Sequence, residues 1–127
     1  MCQLLAPLWR SGSPPPRSDR AAVVAEVAAE LRGQGAANVL YADGSTLFVH
    51  AHRHTLPGEE VSNEPGLYIL RRSLASGDDM TRPCDGVHSG GRCHHQCIVA
   101  TAPLDDQAWE PMRVGEIACI ESGCRVA

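Results

Sequence analysis

Two short apolar runs near the end of the chain constrain its fold most strongly. They cover residues 98–100 and 117–120, and a proline and two aspartates lie between them. Pro103 lacks a backbone N–H and so stops a strand ladder, while Asp105 and Asp106 favour a turn. The sequence therefore predicts a strand, a connection and a second strand.

The connection itself contains apolar side chains. Trp109, Pro111 and Met112 stand just before Val114 and Gly115. Side chains of this size bury a large apolar area when they are covered. We predict that the first three form an apolar plug that fixes the connection against the core.

A β-hairpin is predicted earlier in the chain. Residues 39–41 and 47–49 are apolar and β-favouring, and Asp43-Gly44 lies between them. An Asp-Gly pair between two such runs is a strong local hairpin signal, because both residues tolerate the positive φ angles of tight turns. We expect two antiparallel strands here.

A helix is predicted before the hairpin, from about residue 19 to Gly33. Ser18 or Asp19 can cap it, and Glu26 and Glu30 lie one turn apart on a face that we expect to be solvated. A glycine typically ends a helix. The predicted buried stripe consists of residues at helical spacing, namely Ala22, Val23, Val24, Val27, Ala28 and Leu31.

The remaining pattern is weaker. Residues 67–70 predict a short strand, residues 73–96 show no periodicity, and residues 97–101, 117–120 and 124–126 predict strands of an antiparallel meander. We therefore expect an α+β fold with one layer of helices on one antiparallel sheet.

Composition narrows the class of protein. The chain has 127 residues, which suits a single domain, and a net charge of -4 with its eleven basic residues scattered rather than clustered. Such a charge distribution does not favour binding of nucleic acid. No apolar run approaches the ~20 residues that span a bilayer. We expect no membrane partner, no cofactor and a cytoplasmic location.

Two segments together resemble a known family. Asn38, Leu40, Ala42, Asp43 and Gly44 match its hairpin motif Asn-x-Leu-x-(Ser/Ala)-Asp-Gly. Residues 99–104 match (Val/Ile)-Ala-(Ser/Thr)-x-Pro-Leu, and Trp109 with Gly115-Glu116 follow in the family order. The chain resembles the C-terminal portion of small, stand-alone class II glutamine amidotransferases.

The resemblance implies a fold and a reaction. These proteins have a four-layer αββα fold of the N-terminal-nucleophile type, and they hydrolyse the amide of glutamine or of γ-glutamyl compounds through a cysteine thioester. Their substrate-binding arginine segment, His-Asn-Gly turn and Gly-x-Thr-Asp-Ser-Glu stretch have no counterpart in this sequence. Without oxyanion donors most of the rate enhancement of acyl transfer is lost. We therefore expect a partial domain that is inactive alone.

Cys2 admits two alignments with the family. If Met1 is removed, Cys2 becomes the nucleophile and its α-amino group acts as the base. Alternatively, Cys2, Leu4, Leu5 and the segment that follows match an internal family helix that reads Ala-Phe-Cys-x-Leu-Leu. We favour the internal alignment, which makes Cys2 a packing thiol and leaves no confident catalytic residue.

The resemblance also suggests how the single domain is organised. Residues 1–52 would hold helices and the hairpin, residues 53–96 a divergent loop insert, and residues 97–127 the terminal strands. A partial domain exposes apolar faces that need covering. The expected partner is a complementary N-terminal half or a second copy of the chain.

A cysteine- and histidine-rich segment suggests a zinc site as an alternative function. It contains Cys84, His88, Cys93 and Cys97, with His94 and His95 between the last two. Thiolate and imidazole are preferred zinc ligands, but only Cys93 and Cys97 have the usual paired spacing. We therefore expect a divergent loop, with zinc binding as the alternative.

Three histidines alternate after the hairpin. His50, His52 and His54 would share one strand face, as metal ligands do. No carboxylate is placed to orient the imidazole rings, so we expect an exposed sheet edge instead.

Two further cysteines flank the predicted Ser122-Gly123 turn. Cys119 and Cys124 could form a cross-strand bridge, but in a reducing compartment we expect free, half-buried thiols.

Overall fold

The structure, a computed structural model, describes residues 12–53, 65–75 and 93–127. Every strand pairing in these ranges is antiparallel, so the predicted α+β class is confirmed. The elements are α1 (Arg17–Arg32), β1 (Val39–Ala42), β2 (Leu47–His50), β3 (Tyr68–Ala75), β4 (Cys93–Ala100), β5 (Glu110–Pro111), β6 (Ile117–Glu121) and β7 (Cys124–Arg125).

Helix α1 begins two residues earlier than predicted. Pro16 is its N-cap, and the Pro16 carbonyl accepts the backbone N–H groups of Asp19 and Arg20 at 3.0 and 3.1 Å. The predicted side-chain cap is wrong, because the Ser18 hydroxyl bonds the Asp19 carboxylate instead of the backbone. The predicted end at Gly33 is confirmed. In the described ranges no helix has both the length and the apolarity to cross a membrane.

The predicted hairpin is confirmed and forms half of a four-stranded sheet. Its strand order is β1-β2-β6-β7, and a second sheet has the order β4-β3-β5. The expected single meander is wrong, because β6 pairs with β2 and β7, whereas β4 lies in the second sheet. Phe48 and Val49 of β2 lie on opposite faces and both are 0 % exposed. A strand buried on both faces needs a neighbour on each edge, which β1 and β6 provide.

The first sheet lies between the helix and the second sheet. Phe48 packs against Val24 of α1. On the opposite face, Val49 and Ala118 share a core with Ile69 of the second sheet. The described residues therefore form three layers, which are a helix and two sheets. The cluster between the sheets also includes Ala51, Leu67, Met112 and Ile120.

Strands β3 and β4 are longer than the sequence suggests. Residues 73–75 and 93–96, predicted to be loop, belong to these strands and pair from Tyr68↔Ala100 to Ala75↔Cys93. The segment 93–97 is mostly polar, so its hydrophobic pattern carries no strand signal. Its strand conformation comes from backbone pairing with β3, which is a non-local interaction.

The connection between β4 and β6 is confirmed, but the plug is smaller than predicted. Met112 is 3 % exposed and belongs to the core between the sheets. Pro111 is exposed and Trp109 is half-buried, so neither fills the core. β5 pairs with Tyr68 and Ile69 of β3, which positions Met112 beside the core.

Candidate functional site

The loop of the β1–β2 hairpin is organised by one carboxylate. Asp43 Oδ1 accepts the backbone N–H of Ser45 at 3.0 Å and of Thr46 at 2.9 Å. Gly44 has a φ of 91°, a conformation that glycine adopts without strain. The Asp-Gly pair therefore serves the turn, but only Gly44 has the positive φ that the sequence signal implies for both residues.

The same carboxylate forms an ion pair with Arg20 of α1. Their side chains are only 1 % and 9 % exposed, and the guanidinium also donates to Thr46 Oγ1 at 3.3 Å. It lies 5.6 Å from the centroid of the Phe48 ring, within range of a cation–π interaction. Burial raises the pKa of Asp43, but the bonds from Thr46, Ser45 and Arg20 outweigh it and lower the pKa to about 2.

This cluster extends to β6. The Thr46 hydroxyl donates to Glu121 Oε1 at 2.9 Å, and Arg17 lies 3.4 Å from Glu121 Oε2. The polar groups thus connect the helix, the hairpin loop and β6. The sequence analysis did not identify Arg20. Its position four residues before Val24, on the buried stripe of the helix, is the signal that could have identified it.

Asn38, another residue of the hairpin motif, braces the end of β2. Its Oδ1 accepts the backbone N–H of His52 at 2.6 Å. The His52 carbonyl accepts Gly66 N–H at 2.9 Å, and a Cβ on Gly66 would come within 2.3 Å of that oxygen. Asn38 thus fixes the backbone that follows β2. Gly66 packs against this backbone so closely that no residue with a Cβ fits there.

Gly115 and Glu116 make the turn that leads into β6. Gly115 has a φ of 86°, and its N–H donates to the Ala51 carbonyl at 2.8 Å. Glu116 accepts the backbone N–H of Arg113 at 2.7 Å and pairs with Arg125. Burial raises the pKa of Glu116, but the bonds from Arg113 and Arg125 outweigh it, so the net pKa is lowered.

Trp109 fixes the exposed connection through a hydrogen bond. Its indole N–H donates to Asp105 Oδ1 at 2.8 Å, and this bond is the largest influence lowering the pKa of Asp105. Arg72 of β3 contacts the same carboxylate at 3.4 Å and donates to Gln107 at 2.8 Å. Trp109 is therefore an anchor of the connection.

The other residues of the two motifs differ in burial. Val99 packs against the core between the sheets. Leu40 and Leu104 are 51 % and 73 % exposed, and Ala42 is also exposed.

His50 is buried, so the prediction of an exposed histidine edge is wrong for this residue. It is 0 % exposed because β2 is a central strand between β1 and β6. Its Nε2 lies 3.1 Å from a guanidinium nitrogen of Arg32, so the ring is an acceptor there, and its Nδ1 has no partner among the described residues. Burial, with Arg32 and His52, lowers the pKa of His50. His52 Nδ1 accepts Ala37 N–H at 3.2 Å.

A cleft of about 300 Å³ lies between the ends of the two sheets. Ser73 and His95 form a cross-strand contact of 3.1 Å on its wall. Arg71 pairs with Glu110, and Arg125 pairs with Glu116. Because each of these cations is matched by a carboxylate, the cleft does not favour an anion. Sequence reasoning did not find this cleft, which depends on contacts between separate sheets. Its walls include Arg71, Arg72, Ser73, His95, Gln96, Gly123, Cys124 and Arg125.

The predicted metal and nucleophile candidates are not brought together in the described ranges. Cys2, Cys84, His88 and His54 lie outside the described residues. Within them, no group of three His, Cys, Asp or Glu side chains is arranged to hold a metal ion.

Three thiols in the described part of the chain are free. Cys97, Cys119 and Cys124 form no disulfide. Cys97 packs against the core between the sheets, and Cys119 packs beside α1. Burial raises the pKa of both Cys97 and Cys119, which keeps them as thiols at neutral pH. Cys93 begins β4.

The class of protein follows from the comparison with family models. The model of the class II glutamine amidotransferases matches residues 1–127, the whole chain. The chain belongs to this family. Comparisons with curated proteins and with solved structures give no significant match.

Proposed function

We propose that this chain provides the helix–sheet–sheet portion of a class II amidotransferase fold and does not hydrolyse glutamine alone. The observation that carries this proposal is the role of the motif residues. Six of them take part in four separate structural contacts, namely Asn38, the pair Asp43 and Gly44, Trp109, and the pair Gly115 and Glu116. These contacts are spread over both sheets and do not converge on one substrate-sized site.

The burial of the second sheet supports a fourth layer. Ile69 faces the core between the sheets, and the next residue, Leu70, points to the opposite face. Leu70 is nevertheless only 2 % exposed. A sheet buried on both faces is what the αββα arrangement of the family requires, and this is the basis on which we assign that fold.

The chemistry of the proposed whole enzyme is acyl transfer from glutamine or a γ-glutamyl amide. That reaction needs a nucleophile, a base and donors aimed at the developing oxyanion. We infer that a complementary polypeptide supplies these groups, or that they assemble when a second copy binds. The free thiols Cys97, Cys119 and Cys124 fit a reducing, cytoplasmic location.

The test is glutamate release from glutamine and from a γ-glutamyl peptide by the purified chain. We expect no turnover above that of the Cys2→Ala variant. Cys124→Ser is the matched control, because it removes a half-buried thiol that lines the cleft without touching Cys2. Turnover that is retained in Cys124→Ser and abolished in Cys2→Ala would establish the N-terminal alignment and an active amidohydrolase.

A further inference from the structure

The turn between β6 and β7 lies directly against β4. Ser122 and Gly123 have φ angles of 49° and 76°, which gives a tight two-residue turn. A Cβ on Gly123 would come within 1.8 Å of the His95 carbonyl oxygen and 3.2 Å of the Gln96 nitrogen. The backbone of the first sheet therefore contacts the backbone of the second sheet here, with no side chain between them.

Two free cysteines lie near this contact, one on each sheet. Cys124 follows Gly123 and lines the cleft. Cys97 is two residues after His95, so it lies on the same face of β4, and it packs at the edge of the core between the sheets. Strand β4, which carries Cys97, is in contact with β7, which carries Cys124.

The third free thiol is placed differently. The sequence left a bridge between Cys119 and Cys124 as the alternative to free thiols, but the register pairs Cys124 with Glu121. Cys119 exchanges backbone hydrogen bonds with Val126 and Ala127, and its side chain packs with Val24 and Phe48. Cys119 is therefore separated from Cys124. It is a control thiol for the oxidation experiment described below.

We propose that Cys97 and Cys124 form a thiol oxidation site, at which a peroxide converts the pair into a disulfide joining the two sheets. In the first step the Cys124 sulfur attacks one oxygen of hydrogen peroxide and the O–O bond breaks, giving a sulfenic acid, and the second oxygen leaves with the thiol proton as water. In the second step the Cys97 sulfur attacks the Cys124 sulfur. The hydroxyl leaves with the Cys97 proton as a second water, and the two electrons given up by the thiols reduce the peroxide.

The order of the two steps follows from access. Cys124 faces the cleft and meets the oxidant first, whereas burial raises the pKa of the Cys97 thiol. Thiolate character and exposure decide which sulfur is oxidised first. The bond would cross-link β4 to β7 and restrict the unfolded chain.

The experiment treats the full chain with hydrogen peroxide under native conditions and blocks remaining thiols with an alkylating agent. Trypsin cuts after Arg92, Arg113 and Arg125, which places Cys93 and Cys97 on one peptide and Cys119 and Cys124 on another. We expect these two peptides to be linked without reductant and separate with it. The melting temperature should rise by roughly 10 °C on oxidation.

Single variants identify the linked pair. Cys97→Ala and Cys124→Ser should each abolish the link, whereas Cys93→Ser and Cys119→Ala should retain it. Circular dichroism before oxidation confirms that each variant is folded. A link that survives in Cys97→Ala or Cys124→Ser overturns the proposal. So does a link to any other cysteine, or oxidation of the native chain without a link between the two peptides.

Discussion

Arg20 of α1 and Asp43 of the hairpin loop form a buried ion pair that joins the helix to the first sheet. Asp43 also accepts two backbone N–H groups, and Arg20 also donates to Thr46, while the buried Arg20 Nε–H has no partner among the described residues. Removing one partner of a buried pair leaves an uncompensated buried charge, which strongly lowers the free energy of unfolding. Replacing both partners by apolar side chains changes that free energy much less.

Replacement of Arg20 tests this relationship. Arg20→Met should lower the free energy of unfolding by about 3 to 5 kcal/mol, because Asp43 stays buried without its partner. Arg17→Met is the matched control, since the Arg17–Glu121 pair has side chains 40 % and 33 % exposed and should cost no more than about 1 kcal/mol. Urea denaturation followed by circular dichroism measures both. Equal losses in the two variants would contradict a special role for the buried pair.

His50 should make stability depend on pH. Its folded pKa lies below the ordinary 6.5, so the unfolded chain binds a proton more readily. Its contribution to stability is therefore complete above pH 6.5 and declines as pH falls below that value. The unfolding free energy should be lower at pH 5.5 than at pH 7.5 in the native chain.

The variant His50→Gln keeps an acceptor for Arg32 but cannot take up the proton, so most of that pH dependence should disappear. The pKa of His52 is lowered as well, and this accounts for the pH dependence that remains. If the unfolding free energy of His50→Gln depended on pH as strongly as that of the native chain, the folded state would not lower the pKa of His50.

Gly123 and Gly115 offer a matched pair of glycine substitutions. Both have positive φ, but only a Cβ on Gly123 meets the His95 backbone, whereas a Cβ on Gly115 has nothing within 4 Å. Gly115→Ala should cost about 1 kcal/mol from backbone strain alone. Gly123→Ala should cost roughly 2 kcal/mol more, because two backbones must separate. Thermal melts measure the loss of stability in each variant. Equal losses in Gly115→Ala and Gly123→Ala would contradict the backbone contact between the two sheets.

The hairpin and the terminal strands could be predicted because their signals are local. Asp43-Gly44 favours a turn in its own backbone. Pro103 ends a strand because it lacks a backbone N–H donor. The pairing of β2 with β6 could not be predicted, since it joins residues far apart in sequence. His50 was misplaced for that reason, because its burial comes from the position of β2 in the sheet.

The zinc alternative has a direct measurement. We expect purified chain to contain substoichiometric zinc by elemental analysis, since Cys93 and Cys97 are the only candidates with paired spacing. Cys97 also packs against the core rather than standing free. One equivalent of zinc, lost together with stability in a Cys93→Ser, Cys97→Ser double variant, would show that the segment is a metal site.

We propose that this member of the class II glutamine amidotransferase family carries the scaffold and not the catalytic centre. Labelling with a diazo-ketone analogue of glutamine, read by intact mass, tests it most directly, because the reagent reacts with an activated nucleophilic thiol. We predict that the isolated chain keeps its unlabelled mass at reagent concentrations that inactivate an active amidotransferase. One adduct on Cys2 with Met1 removed, suppressed by excess glutamine and absent in Cys2→Ala, would contradict the claim.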